Sequence, residues 1–256
     1  MNKRKKFIFT SLCLSLGFIA IQFLPENYKL LSIFVLGVAS TLLFSWSLWE
    51  GLKFNVTLLS LILPIYFTVG VGLFWFLLPS SIYTVIPIIL LYGFGVYALC
   101  LTANIYTVAV IRTIALMRAA RGVGFILTLI TLFLIFDTIV SIHWPIYVTV
   151  PLVFLTSFPL FLQGFWSISL DKVISKDVFL MTLIASLVVA ETSAILFFWP
   201  LTVVVRSLFL TVYSYVVLGL GQAELEGKLF RQTVNEYLFM GTLVFLGMFL
   251  ATDWGR

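Results

Sequence analysis

Nine apolar runs of about 20 residues follow one another along almost the whole sequence. A helix needs about 20 apolar residues to cross a bilayer, because each residue advances the helix by about 1.5 Å. We predict membrane spans at residues 7–24, 30–49, 57–78, 83–103, 122–142, 146–166, 178–198, 201–220 and 237–251. The sequence therefore predicts an all-α polytopic transmembrane helix bundle that forms a single domain over residues 1–256.

The composition requires lipid as the main solvent. Hydrophobic residues make up 62% of the chain and charged residues only 10%, whereas a soluble domain carries about 25% charged residues. The net charge is +5, but no nucleic-acid-binding motif accompanies it, so we predict no nucleic-acid partner. Cys13 and Cys100 both lie inside apolar runs, which favours small core residues over a disulfide framework.

The positions of Lys and Arg predict the orientation of the spans. With nine spans, one side of the membrane holds nearly all of the basic residues, namely Lys3, Arg4, Lys5, Lys6, Lys53, Arg112, Arg118, Arg121, Lys172, Lys176, Lys228 and Arg231. The other side holds only Lys29 and Arg256. Because basic loops stay in the cytoplasm, we predict a cytoplasmic N-terminus and an external C-terminus in a bacterial inner membrane.

The N-terminus itself is similar to a signal peptide, with a basic start and an apolar run after it. No small-residue cleavage site follows that run. We therefore predict an uncleaved first span, with cleavage as the alternative.

Residues 104–121 form a basic segment that we place in the cytoplasm. The segment is compatible with a helix that has Asn104 as its N-cap. Arg118 and Arg121 would then be neighbours on one face, while Arg112 would point elsewhere. We favour a topology anchor for the three arginines. The alternative is an interfacial helix whose arginines contact anionic lipid headgroups.

Two charged residues lie inside the spans on either side of the Trp199-Pro200 turn. Glu191 precedes the turn and Arg206 follows it, so in an antiparallel hairpin their depths differ by only about 3 Å. An uncompensated charge inside a bilayer costs about 2.5–3.5 kcal/mol. The two residues are therefore either a buried staple between neighbouring spans or a site that binds a substrate or a proton.

Asp137 is the third charged residue inside a span. It lies about five residues from the outer end of the fifth span, at a depth similar to that of Glu191 and Arg206. We predict that the three form one cluster in the outer half of the membrane, as a site or as a packing key. The alternative for Asp137 is local capping with Thr138 and Ser141.

Motifs of the common enzyme classes are absent from the sequence. It contains one histidine and no HExxH, GxSxG or phosphate-binding glycine loop, so we predict no metal and no cofactor. The interpretation we favour is a non-enzymatic membrane protein. It would be a carrier of a small or lipidic solute, or a scaffold with a membrane-protein partner or a second copy of itself.

The alternative function is a membrane-embedded enzyme that acts on lipid-linked substrates. Asp137 or Glu191 would then be the base and Arg206 would contact a phosphate. A carrier predicts a hydrated cavity that reaches the charged cluster, and a scaffold predicts a closed bundle with an apolar flank. The enzyme predicts a lateral opening to lipid.

Three segments between residues 104 and 238 resemble an uncharacterised family of small polytopic membrane proteins from candidate-phylum bacteria. They read NIYTVAVIRTIALMRAARGVGF, LFLIFDTI and VLGLGQAELEGKLFRQTVNEYL. The resemblance implies a multi-pass helical inner-membrane protein with a domain of unknown function. It implies no activity and no catalytic residue.

Overall fold

The computed structural model describes residues 3–49, 54–78, 82–109, 116–171 and 173–252, and all of its regular structure is helical. The nine helices of these residues are α1 Lys3–Gln22, α2 Glu26–Leu48, α3 Phe54–Trp75, α4 Ile82–Ala109, α5 Met117–Ser141, α6 Ile146–Ser169, α7 Lys176–Phe197, α8 Val203–Leu225 and α9 Arg231–Leu250. The predicted all-α fold is confirmed.

Eight of these helices, within the described ranges, are long and apolar enough to cross a membrane. The remaining one, α3, contributes the shorter apolar stretch Leu59–Trp75. The chain is therefore a multi-pass membrane protein, as the apolar runs predict.

Proline and hydroxyl side chains mark the starts of several helices. Pro25 and Pro145 occupy the N-cap positions of α2 and α6, where the missing N–H of proline costs little. Ser175 and Thr202 cap α7 and α8, because their hydroxyl oxygens accept hydrogen bonds from backbone N–H groups in the first turn.

The basic segment at residues 104–121 differs from its prediction. Helix α4 continues through Ala109, so Asn104 lies inside this helix and is not an N-cap. The apolar sequence around it extends the helix, and the Thr107 hydroxyl donates to the Asn104 carbonyl at 2.9 Å. Helix α5 begins at Met117, and Arg112 lies outside the described residues.

The chain divides into two compact units, Met1–Thr131 and Leu132–Arg256. Unit 1 contains α1 to α4 and the first part of α5. Its core is aromatic: the ring of Phe18 lies 4.8 Å from that of Tyr92, and the Tyr92 hydroxyl donates to Thr68 Oγ1 at 3.1 Å. Helices α1 and α4 are joined by a hydrogen bond from Ser11 Oγ to the Gly93 carbonyl at 2.6 Å.

Unit 2 contains the rest of α5 and α6 to α9, with α8 in contact with α6, α7 and α9. Glycine allows α6 and α8 to approach closely, because a Cβ atom added at Gly221 would lie 2.5 Å from the ring of Phe165. Helix α9 packs against α8 through Tyr237, whose ring lies 5.1 Å from that of Tyr215.

Candidate functional site

Asp137 is buried in unit 2 and bonds to a neighbouring helix. Its side chain is 6% exposed, and Ser207 Oγ donates to Asp137 Oδ1 at 2.7 Å. Asp137 lies four residues before the end of α5, and Ser207 four residues after the start of α8. Each is thus about 6 Å from its helix end. The contact places the α5–α6 and α7–α8 connections at the same end of unit 2, which we name the turn end.

Ser207 has more acceptors than its single hydroxyl proton can satisfy. Its Oγ lies 2.9 Å from the Val203 carbonyl and 3.1 Å from the Val204 carbonyl, besides the contact with Asp137. The hydroxyl can therefore donate to an ionised Asp137. If Asp137 is protonated, the hydroxyl can instead accept from Asp137 and donate to the Val203 carbonyl. One serine can therefore hydrogen-bond to the Asp137 carboxyl group in either of these states.

Arg206 fastens the turn between α7 and α8. Its Nη2 donates to the Trp199 carbonyl at 3.3 Å, just beyond the C-terminus of α7, where a positive charge complements the helix dipole. The Arg206 side chain is half-buried. Its Nε is buried and has no hydrogen-bond partner among the described residues.

Glu191 lies on an exposed face of α7. It precedes the end of α7 by six residues, which is about 9 Å along the helix. In the part of the chain that the structure describes, no ion pair joins Glu191 to Arg206. The two residues share a similar depth, but Arg206 binds the turn and Glu191 faces away from the helices of its own unit.

The two described arginines of the basic segment lie in the first two turns of α5. Arg118 is exposed and Arg121 is half-buried. Their spacing of three residues places them on neighbouring positions of one helix face. Contact of these arginines with anionic headgroups stays a prediction.

Sequence reasoning missed Ser207, the hydrogen-bond partner of Asp137. The sequence did contain an indication of its role, because Ser207 is one of the few residues with a hydroxyl group in the first turns of α8. What the sequence lacks is any indication that α5 and α8 are neighbours, since 70 residues separate Asp137 from Ser207.

A groove of about 620 Å³ between α1 and α4 in unit 1 was also not predicted. Ser11, Ser15 and Gly93 line it together with apolar side chains. The four-residue spacing of the two serines, which places them on one face of α1, is the signal that could have indicated it.

Metal chemistry has no group of ligands in the described residues. No three His, Cys, Asp or Glu side chains come together there closely enough to hold an ion.

Comparison with known proteins places the chain in a family. No match is found among curated proteins or among solved structures. The model of a family described as "Protein of unknown function (DUF5656)" matches residues 12–251, which is most of the sequence and covers α2 to α9 and the second half of α1. This chain is therefore a multi-pass membrane protein that belongs to the DUF5656 family.

Proposed function

We propose that this protein is a non-enzymatic carrier of a small or lipidic solute in the bacterial inner membrane, with Asp137 as its proton-binding group. The observation that carries the proposal is the hydrogen bond between buried Asp137 and Ser207. An ionisable side chain inside a membrane helix is costly, and such residues commonly belong to ion or proton pathways.

Ser207 can hydrogen-bond to Asp137 in both stages of a transport cycle, with the proton bound and with the proton released. The serine can stabilise Oδ1 of the carboxylate as a donor and can accept a hydrogen bond from the carboxylic acid. Ser207 can therefore stay hydrogen-bonded to Asp137 while a proton is lost or gained, although the strength of the bond changes. This is the behaviour expected of a group that binds and releases protons repeatedly.

The contact also couples protonation to helix position. Asp137 and Ser207 lie on different helices, so a movement of α5 relative to α8 breaks the bond. The bond is stronger when Asp137 is ionised, because a hydrogen bond to a charged group is about twice as strong as a neutral one. Protonation would therefore loosen α5 from α8, and this provides the differential free energy that alternating states require.

The test is the variant Asp137→Asn in proteoliposomes. Asparagine keeps the size of the side chain but cannot carry a proton. We expect a carboxylic-acid stretching band in difference infrared spectra between low and high pH, and its loss in Asp137→Asn. We also expect the loss of currents evoked by a panel of small anionic and lipidic solutes. Asp137→Glu should retain part of both signals.

The matched control is Glu236→Gln, which makes the same chemical change in an exposed carboxylate that bonds to Gln232 on its own helix. It should leave both signals unchanged. If folded Asp137→Asn gave the same solute currents as the unmodified protein, Asp137 would not be the proton-binding group of a carrier.

A further inference from the structure

Helix α7 presents a continuous apolar face that surrounds a single carboxylate. Leu180, Ile184, Leu187 and Ile195 are 56%, 50%, 45% and 63% exposed, respectively. Together with Glu191 they follow one another at intervals of three or four residues, so all five lie on one side of the helix. The opposite side of α7 is buried and includes Thr182, Ser186 and Ser193, among others.

This face differs from an ordinary lipid-facing surface because it contains Glu191. A carboxylate at this depth in hydrocarbon has no water to solvate it, and such residues generally face a bundle interior and pair with another polar group. The described residues of this chain provide no ion pair for Glu191. We therefore expect a positively charged group to cover this face and to pair with Glu191.

The complementary group is present in the same sequence. Arg206 is the only Lys or Arg among the described residues at the turn end of unit 2, and its half-buried side chain leaves part of the guanidinium group at the surface. Arg206 lies about 4.5 Å from the start of α8 and Glu191 about 9 Å from the end of α7. The difference in depth, about 4.5 Å, is within the reach of an arginine side chain.

A second copy of the chain satisfies both groups at once. Rotation about a twofold axis along the membrane normal preserves depth and makes each contact reciprocal, so that residue i meets residue j and residue j meets residue i. We propose that this protein forms a homodimer through the exposed face of α7, in which Glu191 of each copy pairs with Arg206 of the other copy.

Within that interface the apolar residues and the charges have separate roles. Leu180, Ile184 and Leu187 provide the van der Waals packing that drives association of helices in lipid. The two reciprocal ion pairs fix the register, since any vertical shift of one copy breaks both pairs together. Arg206 retains its contact with the Trp199 carbonyl through Nη2, because a guanidinium group has five N–H donors.

The first test measures the unmodified protein. Single fluorophores attached to the full chain in lipid nanodiscs or vesicles should bleach in two steps. The mass of the protein in mild detergent, after subtraction of bound detergent, should correspond to two chains. One bleaching step together with the mass of one chain would overturn the proposal.

Charge reversal distinguishes pairing between copies from pairing within one copy. Glu191→Arg and Arg206→Glu should each be monomeric, because each alone places like charges opposite one another in both contacts. A mixture of the two variants should form a heterodimer, since both contacts are then complementary. The double variant Glu191→Arg/Arg206→Glu should be dimeric by itself.

The mixture decides the proposal. Two differently tagged chains that are separately monomeric and dimerise only when mixed would confirm reciprocal pairing between copies. If the double variant dimerised but the mixture did not, the pair would lie within one chain and the proposal would be overturned.

Neutral substitutions avoid the risk that charge reversal prevents insertion. We expect Glu191→Gln to weaken dimerisation about tenfold, as estimated for two weakened polar contacts between membrane helices. The matched variant Glu236→Gln, at an exposed glutamate that bonds within α9, should not change the dimerisation constant. Equal constants for Glu191→Gln and the unmodified protein would overturn the role of the ion pairs.

Discussion

Ser207 is the residue on which the environment of Asp137 depends. The hydrogen bond between them is 2.7 Å long and joins α5 to α8. In the absence of the serine hydroxyl, Asp137 would face an apolar core with no donor, and a buried polar group without a partner costs free energy. Ser207 is therefore expected to affect both the stability of the protein and the environment of the Asp137 carboxyl group.

We expect Ser207→Ala to lower the free energy of unfolding by about 1 kcal/mol, the upper range for a hydrogen bond between membrane helices. Unfolding by titration with a denaturing detergent measures this change. Thr242→Ala is the matched control, because the Thr242 hydroxyl bonds only to the Leu238 carbonyl of its own helix. Similar losses in the two variants would mean that the contact between α5 and α8 contributes nothing specific.

At the scale of the helices, glycine decides how closely α6 and α8 pack. A Cβ atom at Gly221 would lie 2.5 Å from the ring of Phe165, which is fully buried. A Cβ atom at Gly247 in α9 would meet nothing within 4 Å. The same substitution therefore has opposite consequences in two helices of one unit.

We expect Gly221→Ala to destabilise the protein by about 1–3 kcal/mol, the usual cost of overpacking. Gly247→Ala should be neutral or stabilising by up to about 1 kcal/mol, because alanine favours helices more than glycine does. Both free energies come from the same detergent titration. A stabilising Gly221→Ala would show that α6 and α8 are not in close contact.

At the scale of the whole molecule, the distribution of basic residues predicts the orientation in the membrane. The start of α1, the start of α5 with Arg118 and Arg121, and the segment between α8 and α9 all fall on one predicted side. We propose that this side is cytoplasmic, where Arg118 and Arg121 lie at the level of anionic headgroups.

Reporter fusions test the proposed orientation. Alkaline phosphatase folds only outside the cytoplasm, so a fusion after Phe198 should be active and a fusion after Gly221 inactive. Phe198 lies just before the start of α8, and Gly221 lies near its end. Activity in the reverse order would contradict the cytoplasmic N-terminus.

The all-α membrane fold could be predicted from the sequence alone, because the solvent imposes it. Apolar runs of about 20 residues cannot be solvated by water, and a helix is the structure that satisfies its own backbone in lipid. Depth was also predictable, since distance along a helix is proportional to residue number. Residue order therefore predicts similar depths for Asp137, Glu191 and Arg206.

The neighbours of these three residues depend on tertiary structure. The direction in which a side chain points is determined by which face of its helix packs against another helix, and long apolar runs have no polar face that would indicate it. Packing of α7 against α6 and α8 leaves Glu191 exposed, while the approach of α5 to α8 brings Asp137 to Ser207. Depth thus follows from residue order, and contact follows from the rotation of each helix about its axis.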